Sequence, residues 1–244
     1  VGHCPGVTVD RKTGRPAITP DLQAKIIDLP GSYSLYPKRA DEYVAYEVLL
    51  NPEGKDRPDL TLVVADASNL KRNLLFCSQI IDLKIPVIIV LTMMDIARQK
   101  GVTVDVKGLE REMGVPVVVV NPRKNKGLNQ LKKAIALVQQ ANYQPLNDFI
   151  PVVSLAAGAI RSVKQLSGVE SDYGALHIAS GVDKIEFLSA EKQEKIKDSL
   201  KENDFHKGKT QAEEVMLRYE RIARIMQRTV VEDSPLKKQL FTER

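Results

Sequence analysis

The sequence predicts an α/β fold in which a mostly parallel sheet is followed by a small all-helical region. Apolar runs of strand length alternate with helical periodicity between residues 60 and 141, which is typical of parallel strands joined by helical crossovers. Polar residues follow these runs directly, and sheets of this kind bind ligands at the carboxyl ends of their strands. After Pro145 the periodicity is helical and no further strand triplet follows.

The composition is that of an ordinary globular protein. The chain has 244 residues, of which 43% are hydrophobic and 27% are charged, and its formal charge is +5. The longest apolar run, near residues 85–91, is far shorter than the roughly 20 residues of a membrane span. Lys and Glu are interspersed without interleaved aromatic residues, so we expect no nucleic-acid partner. Cys4 and Cys77 have neither metal-site nor disulfide spacing, which favours a reducing compartment.

The first forty residues predict two antiparallel strands, at 7–12 and 23–29, separated by a break at 13–16. The second strand ends in Asp28-Leu29-Pro30-Gly31. Taken alone, this tetrapeptide favours a turn in which Pro30 presets φ and Gly31 supplies a positive φ. The alternative is a phosphate site, where Asp28 holds hydrated Mg²⁺ and the Gly31 N–H approaches a phosphate.

The order of the later elements favours the interpretation of residues 28–31 as a phosphate site. We predict helices at 40–50, from the caps at 66–69 to about 83, after Asp95, at 106–113 and at 127–141. We predict strands at 60–65, 86–91 and 115–120. Asp28, Asp66, Asp95 and Asn121 then fall at or just past strand ends, so one edge of the sheet is polar and acidic.

The region after Pro145 is predicted to be helical throughout. Residues 151–166 are weakly helical at best, whereas 172–180 and 190–200 have helical patterns. Residues 210–231 predict a long amphipathic helix. Its expected apolar stripe contains Ala212, Val215, Met216, Tyr219, Ala223, Met226 and Val230.

Gly208-Lys209-Thr210 resembles the end of a phosphate-binding loop, but Asn203 stands where the first Gly of that loop belongs. Thr210 with Glu213 fits instead a capping box that opens the long helix. His177 and His206 have no partner at metal-ligand spacing and are interpreted as core or surface residues. Tyr33 and Tyr36 are interpreted as surface or packing residues.

Three further motifs each allow two interpretations. The Thr8 hydroxyl is either a Mg²⁺ ligand beside Asp28 or a β-favoured side chain on a strand face. Asp95, three residues after Thr92, either accepts two N–H donors from guanine or caps a helix. Asn121-Pro122-Arg123 either touches the base from its other side or is a plain loop, which is slightly favoured because Pro122 lacks an N–H.

Three stretches together resemble the cytosolic amino-terminal region of the ferrous iron transport protein B family. The third is the most family-specific, and the helical region up to Tyr219-Glu220-Arg221-Ile222-Ala223 resembles that family's helical regulatory domain, so the resemblance covers nearly the whole chain. The stretches are Gly2-His3-Cys4-Pro5-Gly6-Val7-Thr8-Val9, Asp28-Leu29-Pro30-Gly31-Ser32-Tyr33-Ser34-Leu35 and Val64-Ala65-Asp66-Ala67-Ser68-Asn69-Leu70-Lys71-Arg72-Asn73-Leu74.

The resemblance implies a P-loop-NTPase-like GTP-binding domain at 1–145, a helical regulatory domain at 146–233 and a linker towards a membrane domain at 234–244. It implies that this region lies at the cytoplasmic face of the inner membrane, beside the protein's own permease domain. Lys237-Lys238 fits a positive-inside junction there. A homo-oligomer is also compatible with this arrangement. The implied activity is slow GTP hydrolysis that regulates Fe²⁺ uptake.

The resemblance also assigns roles to particular residues. Thr8 and Asp28 would hold Mg²⁺, the latter through water, and Gly31 would donate its N–H to the γ-phosphate. Asp95 would read guanine. Residues 2–5, including the backbone of Gly2 and Cys4, would close over the phosphates and could form a K⁺ site. The implied nucleotide-binding set is Gly6, Val7, Thr8, Asp28, Leu29, Pro30, Gly31, Thr92, Asp95, Asn121, Pro122 and Arg123.

The chain departs from the family pattern at three places. The phosphate-binding loop is expected ahead of Val1. Thr92 stands where Asn is usual, and Asn121-Pro122-Arg123 stands where Ser or Thr and Ala are usual. Ser32 directly follows Gly31, so neither Gln nor His stands at that position to orient the attacking water. Hydrolysis would therefore depend on ions and backbone donors. Two alternatives stay open: a non-hydrolysing interaction module on the same scaffold, and a ribosome-associated GTPase.

Overall fold

The computed structural model describes residues 12–37, 40–141 and 143–232. Several sequence predictions fall outside these ranges: the strand up to residue 11, the linker at 234–244, and the roles of Gly2, Cys4, Gly6, Val7 and Thr8.

The described residues form nine helices and nine short strands, apart from isolated 3-10 turns. The strands are β1 Lys12–Gly14, β2 Ala17–Thr19, β3 Leu22–Gln23, β4 Ile26–Asp28, β5 Thr61–Asp66, β6 Val87–Thr92, β7 Val102–Val104, β8 Val117–Val119 and β9 Val230–Glu232. The helices are α1 Ala40–Leu50, α2 Leu70–Asp82, α3 Met94–Gln99, α4 Val106–Met113, α5 Leu128–Gln140, α6 Val153–Ser167, α7 Asp172–Gly181, α8 Ala190–Glu202 and α9 Lys207–Thr229.

The predicted parallel sheet is confirmed. Its strand order is β5-β6-β8, with Thr61 opposite Val87 and Ile89 opposite Val117. The central strand β6 is buried on both faces, as its continuous apolar run predicts. β5 lies at the edge of this sheet among the described residues and alternates in burial, so Val64 is 64% exposed.

Two apolar layers cover the sheet. Ile88 and Val90 of β6 pack with Leu131 and Val138 of α5 on one face. Ile89 and the other inward residues of the opposite face join a larger core that includes α2, α7 and α9. The helical region therefore packs against the sheet domain through α2, and one continuous apolar core serves both.

The amino-terminal strands have different bounds from those predicted. β1 extends to Gly14 and pairs antiparallel with β4, so Lys12 lies opposite Asp28, which confirms the expected pairing. The predicted strand at 23–29 is wrong as a single element, because Leu22–Gln23 pairs instead with Ala17–Thr19 in a separate hairpin. β4 is an edge strand of the two-stranded sheet that it forms with β1, so Ile26 is 43% exposed.

The stretch predicted as weakly helical contains α6, which begins at Val153 and has one non-helical residue at Ala156 (φ −158°, ψ 55°), so it is more helical than predicted. The low propensity comes partly from Gly158, whose missing side chain has a packing function. A Cβ there would lie 1.9 Å from Asn203 Oδ1, at the end of α8. Gly158 thus weakens the local helical signal while it allows α6 and α8 to approach closely.

The long carboxyl-terminal helix has a different start and a different buried face from those predicted. α9 begins at Lys207, and the Thr210 hydroxyl donates to the carbonyl of His206, so the capping box at Thr210 is wrong. The predicted stripe is wrong as well, since Met216 is 56% and Tyr219 38% exposed. The buried residues of α9 are Thr210, Glu214, Arg218, Ile222, Ile225 and Thr229.

The helical region also contains a strand that was not predicted. β9 follows α9 directly and pairs antiparallel with β7, with Val104 opposite Val230. This pairing joins the end of the chain's helical part to the sheet domain.

Candidate functional site

The carboxyl ends of β5, β6 and β8 meet at one edge of the sheet, and polar residues follow each of them. The Thr92 hydroxyl at the end of β6 donates to the carbonyl of Ala65 in β5, at 3.2 Å. Asp66 accepts the N–H of Ser68 at 2.8 Å and thereby caps the turn into α2. The Thr92 hydroxyl thus connects the neighbouring strands β5 and β6 at this edge.

Asp95 lies in the first turn of α3, directly beyond β6. Met93 occupies the N-cap position in the left-handed conformation (φ 56°), so the interpretation of Asp95 as the N-cap is wrong. One oxygen of Asp95 accepts the N–H of Ile96 at 3.1 Å. The other accepts the side-chain amide of Asn121 at 3.2 Å.

These contacts keep the Asp95 carboxylate ionised. Partial desolvation opposes ionisation, but the N–H groups around it and the Asn121 amide outweigh that effect, so the pKa lies below its usual value. A carboxylate accepts about four hydrogen bonds. Each Asp95 oxygen therefore retains capacity for a donor from a ligand.

Asn121 begins a closed loop after β8. It exchanges two backbone hydrogen bonds with Lys126, and its side-chain oxygen accepts the N–H of Lys124 at 3.2 Å. Pro122 opens a 3-10 turn inside the loop, where its missing N–H is not needed. The plain-loop interpretation therefore describes the backbone correctly but misses the contact between the Asn121 amide and Asp95.

Gly127 closes this loop with φ +87°. A Cβ at Gly127 would lie 2.1 Å from the carbonyl oxygen of Val119, so no other residue fits without a shift of the backbone. This close approach closes the loop at whose start the Asn121 amide contacts Asp95. We call the polar residues at or just past the ends of β6 and β8 the edge cluster (Thr92, Asp95 and Asn121).

Asp28 ends β4 and is exposed. Among the described residues β4 pairs with β1, and no backbone ladder joins it to the parallel sheet. Gly31 has open space around its Cα and lacks a positive φ, so the turn interpretation is wrong about its conformation. The exposed carboxylate and the open approach at Gly31 fit a hydrated cation and a phosphate.

The segment after Gly31 makes contacts that the sequence did not indicate. The Ser32 hydroxyl donates to the carbonyl of Ser34 at 2.6 Å and so is held within its own turn. The guanidinium of Arg72 lies 3.7 Å over the ring of Tyr33. The interpretation of Tyr36 as a surface or packing residue is incomplete, because its hydroxyl also bonds to Glu214.

Glu214 belongs to a second polar group, which we call the buried cluster (Asp82, Glu214, Arg218 and Tyr36). Arg218 is fully buried and pairs with Asp82 at 2.7 Å and with Glu214 one helical turn away. Asp82 also accepts the N–H groups of Phe149 and Ile150. Burial raises the pKa of Asp82, and the Arg218 guanidinium and these N–H donors oppose the shift.

His177 lies against this cluster and is buried, as the core interpretation expects. Its ring packs on those of Tyr36 and Tyr173, with centroids 4.6 and 4.5 Å away. Burial lowers the pKa of His177 to about 3, and the nearby Arg218 charge acts in the same direction. Spacing relates only Glu214 and Arg218, which are one turn apart on α9, because Asp82 and Tyr36 lie elsewhere in the chain.

The fold and its polar edge define the class of protein. A parallel sheet between helical layers, with the motifs at its carboxyl edge, is a P-loop-GTPase-like α/β fold, and solved structures of that class superpose on it. The chain belongs to the ferrous iron transport protein B family, since the model of that family's amino-terminal region matches residues 1–135. The resemblance noted from the motifs is confirmed.

Curated relatives are longer than this chain. The Fe(2+) transporter FeoB of Leptospira biflexa is 39% identical over 135 residues, which are 55% of this chain and 19% of that protein. That of Salmonella typhimurium is 37% identical over 171 residues, which are 68% of this chain and 21% of that protein. The chain thus spans about a fifth of the length of these relatives. The described residues contain no helix long and apolar enough to cross a membrane.

Solved structures match nearly the whole chain. The cytosolic domain of L. pneumophila FeoB is 27% identical with a TM-score of 0.75, over 95% of this chain and 89% of that one. A GDP-bound mutant of the S. thermophilus FeoB G-domain is 28% identical with a TM-score of 0.70, over 94% of this chain and 89% of that one.

Proposed function

We propose that this chain binds GTP and GDP at the carboxyl edge of its sheet and hydrolyses GTP slowly. The contact between Asp95 and Asn121 carries the proposal. It orients an ionised carboxylate that retains acceptor capacity on both oxygens, and guanine presents a ring N–H and an exocyclic amine to such a group. Adenine lacks this pair of donors, so Asp95 selects the base. Thr92, Asn121, Pro122 and Arg123 surround the base in this proposal.

The phosphate end of the site is formed by two segments in this proposal. Asp28 holds Mg²⁺ through water together with the Thr8 hydroxyl, and the N–H of Gly31 contacts the γ-phosphate. Gly6 and Val7 precede Thr8 in the chain, and Leu29 and Pro30 connect Asp28 to Gly31. The exposed Asp28 carboxylate and the open space at Gly31 support this arrangement.

Hydrolysis transfers the γ-phosphoryl group of GTP to water and releases GDP and phosphate. The Ser32 hydroxyl is engaged by Ser34, so it is a poor candidate to orient the attacking water. We infer that main-chain donors of residues 2–5 and of Gly31 stabilise the developing charge. The backbone of Gly2 and Cys4 would hold K⁺, and K⁺ and Mg²⁺ would supply further positive charge there. A site without a side-chain base turns over slowly.

In the intact protein we propose that this activity regulates Fe²⁺ uptake by a permease domain of the same chain. Residues 1–145 form the nucleotide-binding domain, 146–233 the helical regulatory domain and 234–244 the linker. The curated relatives are described as Fe(2+) transporters, and this chain covers about a fifth of them. We place it at the cytoplasmic face of the inner membrane.

Calorimetry on the full-length protein with Mg²⁺ tests this proposal. We expect GDP to bind with micromolar affinity and ADP about 5- to 150-fold more weakly, since a matched pair of hydrogen bonds is worth about 1–3 kcal/mol. Equal affinity for GDP and ADP would contradict the proposal that Asp95 selects the base. Tight GTP binding without phosphate release would contradict the proposal that the chain hydrolyses GTP.

A further inference from the structure

The residues that follow Gly31 contact helices α2 and α9. Tyr36 lies five positions after Gly31, which is at most about 17 Å of extended chain. Over this stretch the Tyr33 ring lies under Arg72 at 3.7 Å, and the N–H of Leu35 donates to the Gln79 side chain at 2.8 Å. The Tyr36 hydroxyl then reaches Glu214 at 3.2 Å.

The contact with Glu214 differs from the other two because it joins a buried and unbalanced group of charges. Asp82 and Glu214 carry two carboxylates and share the guanidinium of Arg218. Glu214 and Arg218 are fully buried. The Tyr36 hydroxyl supplies a further donor to Glu214, and a buried carboxylate oxygen that loses a donor is costly.

The position of Tyr36 and the packing of α9 therefore depend on each other. The Tyr36 ring also packs on His177 of α7 at 4.6 Å, so the whole side chain is inserted into the helical region. If the segment shifts away, Glu214 retains Arg218 but loses the hydroxyl, and the first turns of α9 become less stable. No comparable penalty attaches to Tyr33, which is 53% exposed.

We propose that the hydrogen bond between Tyr36 and Glu214 transmits the state of the phosphate position at Gly31 to α9. The inference rests on the proposed function, because it requires a nucleotide whose terminal phosphate contacts Gly31. With a diphosphate the segment stays docked and Tyr36 holds Glu214. A terminal phosphate draws the Gly31 N–H towards itself, displaces the segment and withdraws the hydroxyl, so residues 207–218 of α9 open more readily.

Hydrogen–deuterium exchange on the full-length protein tests this link. Backbone exchange in residues 207–218 is measured with GDP and with a non-hydrolysable GTP analogue. The variant Y36F retains the ring against His177 and removes the hydroxyl. The matched control Y33F removes a hydroxyl from the same segment and retains the ring under Arg72.

We expect exchange in α9 to be at least about threefold faster with the GTP analogue than with GDP, in the wild type and in Y33F. In Y36F the two nucleotides should give the same exchange rate, while calorimetry shows nucleotide affinities close to those of the wild type. A nucleotide-dependent difference in Y36F equal to that of the wild type would overturn the link alone. No such difference in the wild type would also overturn it. Absence of guanine-nucleotide binding to the wild type would overturn the proposed function as well.

Discussion

The edge cluster and the buried cluster differ in how their hydrogen bonds are completed. Asp95 of the edge cluster retains acceptor capacity towards the surface. Asp82 of the buried cluster is enclosed by the fold, where it accepts two backbone N–H groups and pairs with the Arg218 guanidinium. A carboxylate with acceptor sites that face the surface suits a ligand, whereas one enclosed among protein partners suits the fold. The comparison predicts that mutations in the buried cluster act mainly on stability, whereas mutations in the edge cluster act mainly on ligand selectivity.

The largest expected effect follows from removing Arg218. We expect R218A to lower the free energy of unfolding by about 3–5 kcal/mol, because two buried carboxylates lose their common cation. Urea denaturation measures the loss. The control R224A removes an exposed arginine of the same helix and should change stability by less than about 0.5 kcal/mol. Similar stability of R218A and R224A would contradict the structural role of the buried cluster.

The second effect depends on pH and arises from His177. Its pKa is about 3 in the folded protein and 6.5 ordinarily, so the histidine is neutral in both states above pH 6.5. Below that pH the unfolded chain binds a proton that the folded chain does not, and stability falls as the pH falls. The expected loss from this residue is about 2.5 kcal/mol at pH near 4.5.

Urea denaturation between about pH 4.5 and 8 measures this dependence. H177F should lack the part of the acid-induced loss that is due to His177. H206F, which replaces an exposed histidine, should follow the wild-type profile. Parallel profiles for H177F and the wild type would show that His177 is not kept neutral by burial.

A smaller effect is expected at the loop that holds Asn121. G127A and G168A both place a side chain at a positive φ, but only the first meets the backbone oxygen of Val119. We expect G127A to cost about 1–3 kcal/mol more than G168A. G127A should also weaken the preference for guanine in calorimetry. Equal costs for the two variants would mean that the loop after β8 adapts easily.

The sequence predicted the edge cluster because its members are placed by local rules. Asp95 and Asn121 each follow an apolar strand by a few residues, and parallel strands bring their carboxyl ends together. The hydrogen bond between the two side chains was not predictable, since it depends on the closed loop that ends at Gly127. The parallel pairing of the central strands and most helix bounds were predictable for the same local reasons.

The buried cluster was not predictable, because charged residues are expected at the surface unless they are paired. Glu214 and Arg218 were left off the predicted apolar stripe of α9, whereas the exposed residues Met216 and Tyr219 were placed on it. Pairing reverses this assignment, and the partner Asp82 lies on α2, far away in the chain. Helical periodicity shows that α9 has faces, but the buried face depends on which partners the other helices offer.

The proposal that Asp95 selects guanine at the carboxyl edge of the sheet is tested most directly by the variant D95N. Calorimetry on the full-length protein measures its affinity for GDP and for xanthosine diphosphate. We expect D95N to lose at least about tenfold in GDP affinity and to gain preference for the xanthine nucleotide, since an amide can donate to the additional carbonyl of xanthine. D105N, which alters the N-cap of α4, should bind GDP like the wild type. Unchanged GDP affinity in D95N would contradict the assignment of Asp95 as the residue that selects the base.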